Sequence, residues 1–461
     1  MTTRMATPTK EELLRTYYAE HYPVRALERL LTFNGDPLVQ REITLDGDYY
    51  KRYNAAKDDT DFRRLMNAMP GLKAVHAGPV WYKQVRKPKP VDPSTGKVPD
   101  PDPPRPNRNE LRFDIDLNDY DWLDLYDVPF DPARPNEKRE LNLDACDDAW
   151  PVAGMAVLTL WSLLMNQFGF SHFFCCYSGR RGVHLWVLDE RAMALDDEAR
   201  AAIAEFVDFK ASKCNLRASS SHRKFVNSLD YMHTVRYRFQ EYIVSRMGVL
   251  DSAAGREEFL KRIDLGWHES MHNLAEEVER KDSGIQAWLY VKNKIKDQAT
   301  RHPKTCGWFL NRLDEVVLAY VWPRIDLNVT KGLNHLIKAP FVAHPKTMRI
   351  AVPLQVKTVL DVFNPRMCPT VTTTNVPEGL YEYGGDADGK GINAHIWHTL
   401  PKPDAQGYEP DRRFEYPNAN GDATPMDVDM EDMVAPTVLR GNAAVRAARG
   451  PRMDVYGNPI G

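Results

Sequence analysis

Seven residues, Leu111-Arg112-Phe113-Asp114-Ile115-Asp116-Leu117, alternate apolar and polar without a break, and they constrain the fold more tightly than any other stretch of the chain. A period of two is that of a half-buried β-strand, because successive side chains leave a strand on opposite faces. Leu111, Phe113, Ile115 and Leu117 therefore turn toward a core. Asp114 and Asp116 emerge together from the other face, roughly 6–7 Å apart by the strand rise. Two carboxylates so placed repel each other unless a cation neutralises them, and their spacing suits a divalent ion or an ion pair. The pattern is short, and a plain solvated strand face has the same appearance.

Two further stretches give the aspartates company. Trp322 to Val329, WPRIDLNV, alternates again, which predicts a second strand with Ile325, Leu327 and Val329 inward and Arg324, Asp326 and Asn328 outward. If the two strands are neighbours, three carboxylates converge in the manner of a two-metal site. Between them, FFCCY and VHLWV flank Ser178-Gly179-Arg180-Arg181-Gly182, which reads as a hairpin whose tip presents a hydroxyl, two guanidiniums and the imidazole of His184. Paired arginines on a glycine turn suit phosphate oxygens, since the guanidinium fork donates two hydrogen bonds at once. The segment after Asp326 adds Lys331, Lys338, His344, Lys346 and Arg349, each of which alone would be an ordinary solvated charge.

Charge is distributed to match. The 461 residues carry 61 Lys/Arg and 64 Asp/Glu, a net of -3, which excludes a polyanion binder working through bulk positive charge. Residues 401–461 hold seven of those bases and ten of those acids, leaving 54 of each in residues 1–400. Within that neutral body, Leu111–Asp131 has seven aspartates against Arg112 alone, whereas Val321–Ile350 has five Lys/Arg against Asp326 alone. One pole suits metal cations and the other a polyanion. Such a body is expected to grip a polyanion weakly and in a salt-sensitive way.

Length and composition set the divisions. A chain of this size exceeds one comfortable core. We expect a catalytic core in two parts, 1–191 and 319–400, interrupted by a Pro-rich loop at 86–109 and by a mostly helical insertion at 192–318, with a disordered tail at 401–461. The helical pattern LKRIDLGWHESMHNLAEEVERK falls in that insertion. The first residues contain no apolar leader, and the run Pro151–Met165 is too short to span a bilayer, so no membrane partner is expected. Six scattered cysteines without a CxxC pair fit an intracellular, reducing compartment. No Ser-His-Asp or Cys-His nucleophile is needed for chemistry based on carboxylates, metals and a cationic clamp.

ELRFDIDLNDYD (110–121), YSGRRGVHLWVLDE (177–190) and WPRIDLNVTKGLNHLIKAPFVAHPKTMRIAVP (322–353), in this order, closely resemble the small catalytic subunit of eukaryotic-type DNA primases, of the archaeo-eukaryotic primase superfamily. ELLRTYYAEHYP and QREITLDGDYYKRY extend the resemblance to roughly residues 11–353. It implies an α/β fold whose mixed sheets form a cleft, and template-directed synthesis of short RNA primers from NTPs on single-stranded DNA. Asp114, Asp116 and Asp326 would hold two Mg2+ or Mn2+ ions. Ser178, Arg180, Arg181 and His184 would hold the triphosphate, with Lys338 and His344 from the opposite side, and Glu42, Tyr50 and Arg52 would help with the initiating nucleotide. Expected partners are a large subunit carrying an iron-sulfur cluster, for which this chain has no cysteine set, and an alpha-type DNA polymerase; the expected place of work is a nucleus or a viral replication compartment.

Two departures from the family pattern stand out. Where relatives have four cysteines for a structural zinc, DVPFDPARPNEKRELNLDACDDAW offers only Cys146, so no zinc is expected and apolar packing or ion pairs should substitute. Where relatives carry an acidic residue near the ribose 2'-hydroxyl, two positions before Gly78, this chain has His76, which leaves ribonucleotide preference less fixed. The alternatives are a primase-polymerase that extends primers or uses dNTPs, and an idle replication scaffold.

Overall fold

Two runs of branched and aromatic residues, 39–46 and 74–82, pair as the centre of the first sheet. In the computed structural model the residues described are 8–371 apart from 33–38, 83, 88–93, 95–104, 129–133, 135–138, 209–231, 357–358 and 362. They belong to one unit, Met1–Pro401. The expected tail at 401–461 and most of the Pro-rich loop lie outside the described residues.

Helices α1 (Lys10–Thr16) and α2 (Val24–Thr32) precede strands β1 (Val39–Asp46) and β2 (Tyr50–Asn54), helix α3 (Asp59–Asn67) and strand β3 (Ala74–Tyr82). With the edge strand β4 (Pro106–Arg108) and the short β8 (Ile337–Lys338), these strands form one sheet, in the order β2-β1-β3-β4 with β8 also paired to β3. Pro106 sits on an edge strand, where a missing N–H costs no ladder bond. The second sheet runs β5-β7-β6-β9, from β5 (Leu111–Asp116), the hairpin β6 (Phe173–Tyr177) and β7 (Gly182–Val187), and β9 (Pro353–Leu354).

The α/β class holds, and every ladder is antiparallel where mixed sheets were expected. The reason is topological: β5 and β6 point the same way but never touch, because β7 lies between them. The alternation of β5 is realised with Leu111, Phe113, Ile115 and Leu117 fully buried. Behind this sheet, α4 (Leu143–Asp148) leads into α5 (Trp150–Phe168), which ends at Gly169 in the left-handed region at φ 64°. Together they make a helical stretch of 26 residues, Leu143–Phe168, longer than the apolar run 151–165. It is apolar enough to cross a bilayer, yet 72 % of its most apolar window is buried inside the protein. It is a core helix.

All described elements from Glu190 to Val321 are helical: α6 (Glu190–Met193), α7 (Asp197–Val207), α8 (Met232–Arg238), α9 (Ala253–Ile263), α10 (Leu274–Glu279), α11 (Gly284–Arg301), α12 (Pro303–Cys306) and α13 (Trp308–Val321), with short π and 3-10 turns between. The predicted helix through LKRIDLGWHESMHNLAEEVERK is broken, since Asp264 adopts φ 49° and Gly266 follows, so α9 stops before α10 begins. Trp288, Phe239 and Tyr320 from this region belong to the same buried cluster as Phe113 and Trp150.

Candidate active site

The carboxylates meet where the two halves of the chain touch. Ile115 forms an antiparallel bridge with Ile325, and the Asp326 N–H donates to the Asp114 carbonyl at 3.0 Å. The second strand predicted at 322–329 shrinks to that single bridge. Asp326 instead caps α14 (Leu327–Lys331), its side chain accepting from the Asn328 N–H at 2.9 Å, and a local side-chain bond of this kind competes with a ladder. Asp116 does the same, accepting from the Asn118 N–H at 2.8 Å to start the 3-10 turn Leu117–Asp119. The tetrapeptide Ile-Asp-Leu-Asn occurs at both places, 115–118 and 325–328, a repeat too short to mark a duplication. Each copy fixes one carboxylate oxygen in a turn.

Crowding shows in the electrostatics. Burial and the neighbouring Asp116 and Asp326 carboxylates push Asp114 up to about 6. Arg181 Nε donates to Asp116 Oδ1 at 2.6 Å, and His184 Nε2 lies 3.6 Å from Asp114 Oδ1. Asp114 pairs across the ladder with His184, and Asp116 with Gly182, so the register of β5 on β7 sets the aspartates against the hairpin tip.

A cleft of 320 Å³ opens here. One wall carries Asp114, Asp116, Ser178, Arg180, Arg181 and His184; the other carries His76, Lys338 and His344. At the tip Gly179 has φ 87°, and a Cβ there would lie 2.9 Å from His344 Cβ and 3.0 Å from the Arg349 carbonyl oxygen, so glycine lets the turn close on the opposite wall. Ser178 Oγ accepts from the Gly182 N–H at 3.0 Å. Burial, reinforced by Lys338, pulls His184 and His344 down to about 3 and His76 to about 4. These imidazoles are neutral hydrogen-bonding groups near pH 7, and the positive charge of the clamp rests on Arg180, Arg181 and Lys338. His76 and His184 each bury an Nδ1 with no protein partner. His335, which sequence reading passed over, also lines the cleft.

Glu42, Tyr50 and Arg52 lie beside the cleft and do not line it. Glu42 is fully buried, accepting from Arg52 Nε at 2.9 Å and from Trp81 Nε1 at 3.2 Å. Tyr50 is 52 % exposed, and its ring centroid stands 5.9 Å from that of His76.

Sequence reading also missed what joins the two sheets. Arg112 belongs to the polar face of β5 yet is 1 % exposed. Its guanidinium donates to Glu110 at 2.6 Å and to the Ala77 carbonyl at 2.8 Å, and stacks 4.5 Å over Trp186. Arg41 grips the same Glu110 from β1, and the two arginines hold that carboxyl down to about 2 against the opposing effect of burial. Thr330 Oγ1 donates to the Arg112 carbonyl, tying α14 to β5.

Asp114, Asp116 and Asp326 are hard oxygen donors, the ligand type that suits divalent cations such as Mg2+ or Mn2+, and Asp114 is pushed up by its two neighbours. Among the described residues no three His, Cys, Asp or Glu side chains stand gathered as a ready-made metal cluster; Asp116 is engaged by Arg181 and Asp326 by its cap. In the described part of the stretch to which the resemblance assigns a zinc, Cys146 is the one thiol. Cys146 is buried in α4 with its thiol pushed up to about 11 by burial, Asp147 is taken by Arg349, and Arg366 pairs with Asp148.

Comparison with known proteins points to one family. The family model for the DNA primase small subunit matches residues 113–356. The chain is 29 % identical over 375 residues to the DNA primase small subunit of Schizosaccharomyces pombe, covering 78 % of this chain and 76 % of that protein. It is 28 % identical over 380 residues to the Drosophila melanogaster protein of the same name, covering 78 % and 80 %. An archaeal small subunit from Thermococcus kodakarensis is 27 % identical over 247 residues, 52 % of this chain and 62 % of that protein.

Proposed function

The chain belongs to the DNA primase small subunit family and is a primase catalytic subunit, and from that premise we propose that it makes short RNA primers on single-stranded DNA by transferring nucleotides from NTPs. The observation that carries the reading is that Asp114 and Asp116 share one cleft with Arg180, Arg181, Lys338 and His344, with Asp326 bonded through its backbone to Asp114 beside it.

Asp114, Asp116 and Asp326 would hold Mg2+ or Mn2+, which when bound neutralises phosphate charge and favours ionisation of the attacking 3'-hydroxyl. The protein's own part is positional. Arg180, Arg181 and Lys338 supply charge to the triphosphate, while Ser178, His184 and His344 supply neutral donors. His76 lines the cleft and would meet the sugar hydroxyls there. Glu42, Tyr50 and Arg52 would serve the initiating nucleotide from beside the cleft, with Tyr50 as its exposed ring. Relatives named as small subunits support a complex with a large subunit and DNA; we assign the iron-sulfur cluster to that partner and expect an alpha-type polymerase to take over the primer. All five described cysteines are buried thiols, in keeping with a reducing nuclear or viral replication compartment.

Purified protein is expected to incorporate labelled ribonucleotides on a poly-pyrimidine template with Mn2+. Asp116→Ala and Asp326→Ala should each lower that rate at least about 1,000-fold, several kcal/mol of transition-state stabilisation, without unfolding the protein. Activity retained in both variants would remove the metal assignment. Parallel dNTP reactions read sugar selection at His76.

A further inference from the structure

The hairpin tip places two guanidiniums side by side on one short turn, an arrangement that like charges oppose. Its shape is held from outside. Tyr177 Oη donates to the Arg180 carbonyl at 2.8 Å, and Thr347 Oγ1 donates to the Gly179 carbonyl at 2.7 Å. On the facing wall the His344 N–H donates to the Arg349 carbonyl at 2.8 Å, the same carbonyl that closes on Gly179. Arg349 is common to both sides. Its Nη1 reaches Tyr177 Oη at 3.3 Å, and its two terminal nitrogens meet both oxygens of Asp147 at 2.6 and 2.7 Å.

Asp147 lies in α4, against the core helix α5, with its side chain 1 % exposed and that of Arg349 11 %. A buried fork of this kind fixes the plane of the guanidinium as well as its position, so it transmits the placement of α4 to the backbone of residue 349. Breaking it would leave a charge without its counter-ion in a dry site. Neither residue lines the cleft.

We infer that Asp147 and Arg349 form a positioning pair for triphosphate recognition: the bridge sets the aim of Arg180 and His344 from outside the cleft. The inference rests on the reading of Arg180, Arg181 and His344 as the triphosphate clamp. It separates the pair from a merely structural bridge, because an ion pair that only stabilised the fold would change how much protein is active and leave the nucleotide dependence of the active fraction unchanged.

The test is steady-state primer synthesis by the full chain, with KM and kcat for NTP measured for Asp147→Asn, Arg349→Lys and Arg180→Ala, and the Ki of AMP as a competitor lacking the outer phosphates. Circular dichroism reports the folded fraction. Asp147→Asn and Arg349→Lys are expected to raise KM for NTP about tenfold or more, since misplacement of a binding group by a fraction of an ångström is felt at that scale. They should change kcat less than about threefold and leave the Ki of AMP in place. Should Asp147→Asn fail to fold, Arg349→Lys, which keeps the charge and loses the fork, decides. If Arg180→Ala raises KM while the folded pair variants keep the wild-type KM, or lose only kcat, the inference is overturned and the clamp reading survives. If Arg180→Ala itself leaves KM unchanged, the clamp reading falls and the inference with it.

Discussion

Asp114 is where the cost of the site is concentrated. Its ordinary value of 3.8 is raised to about 6 by burial and by Asp116 and Asp326. The protonated form is therefore the favoured one in the folded state; stability is complete below about pH 4 and is lost as pH rises through about 6. A shift of this size corresponds to about 3 kcal/mol, which solvent screening of a side chain 35 % exposed reduces to about 1–2 kcal/mol. Asp114→Asn should thus raise the melting temperature of the metal-free protein at pH 7.5, show only about a third of that gain at pH 4.5, and abolish primer synthesis; thermal melts at the two pH values decide. The pair Asp114/Asp116 was legible because alternation identifies a strand face. Arg112, on that same face, was misjudged, since periodicity says which side a residue faces and nothing of what lies over it. His335 gave no signal, for one histidine in a loop has none.

At the level of elements, the hairpin was read with its limits nearly right because apolar runs and a glycine turn agree. The strand proposed over 322–329 was not realised. Pro323 and the Asp326 cap redirect the chain into α14, and an alternating pattern of eight residues cannot distinguish a strand from a bridge followed by a capped turn. What the resemblance supplied, and alternation could not, was that Asp326 belongs beside Asp114. The hairpin also yields a prediction. Gly179→Ala must tolerate φ 87° and a Cβ inside normal contact distance of both His344 Cβ and the Arg349 carbonyl oxygen. Strain of about 1–3 kcal/mol is the expected cost, relieved by opening the turn, so KM for NTP should rise roughly tenfold or more. An unchanged KM would mean that the tip does not need to close on the opposite wall.

Across the whole molecule, the two sheets are held in register by one glutamate between two buried arginines, Arg41 on β1 and Arg112 on β5. Glu110→Gln leaves two guanidiniums in the interior without a counter-charge, and the loss should be about 3–5 kcal/mol, measurable as a lower urea midpoint. A change under about 1 kcal/mol would show that the backbone carbonyls around them suffice. The neutral body also predicts weak template binding by this subunit alone: a Kd for single-stranded DNA above about 1 µM at physiological salt, tightening as salt is withdrawn. Titration at several ionic strengths tests it, and tight binding at physiological salt would contradict it. The helical character of the middle region was legible from composition; that its buried residues join the same core as the sheets was not, because composition carries no contacts.

The cleft is closed by bonds between distant parts of the chain, among them Thr330 to Arg112 across 218 positions. Translation delivers β5, with its first two carboxylates, and then the hairpin, long before the ribosome reaches the third carboxylate, Lys338 and His344 of the second wall, and the strand β9 that finishes the sheet. A growing or prematurely released polypeptide thus carries most of the reactive groups but no working centre. For an enzyme whose business is to begin strands, competence waits on residues 326–354, and copies that stop before them are silent by construction.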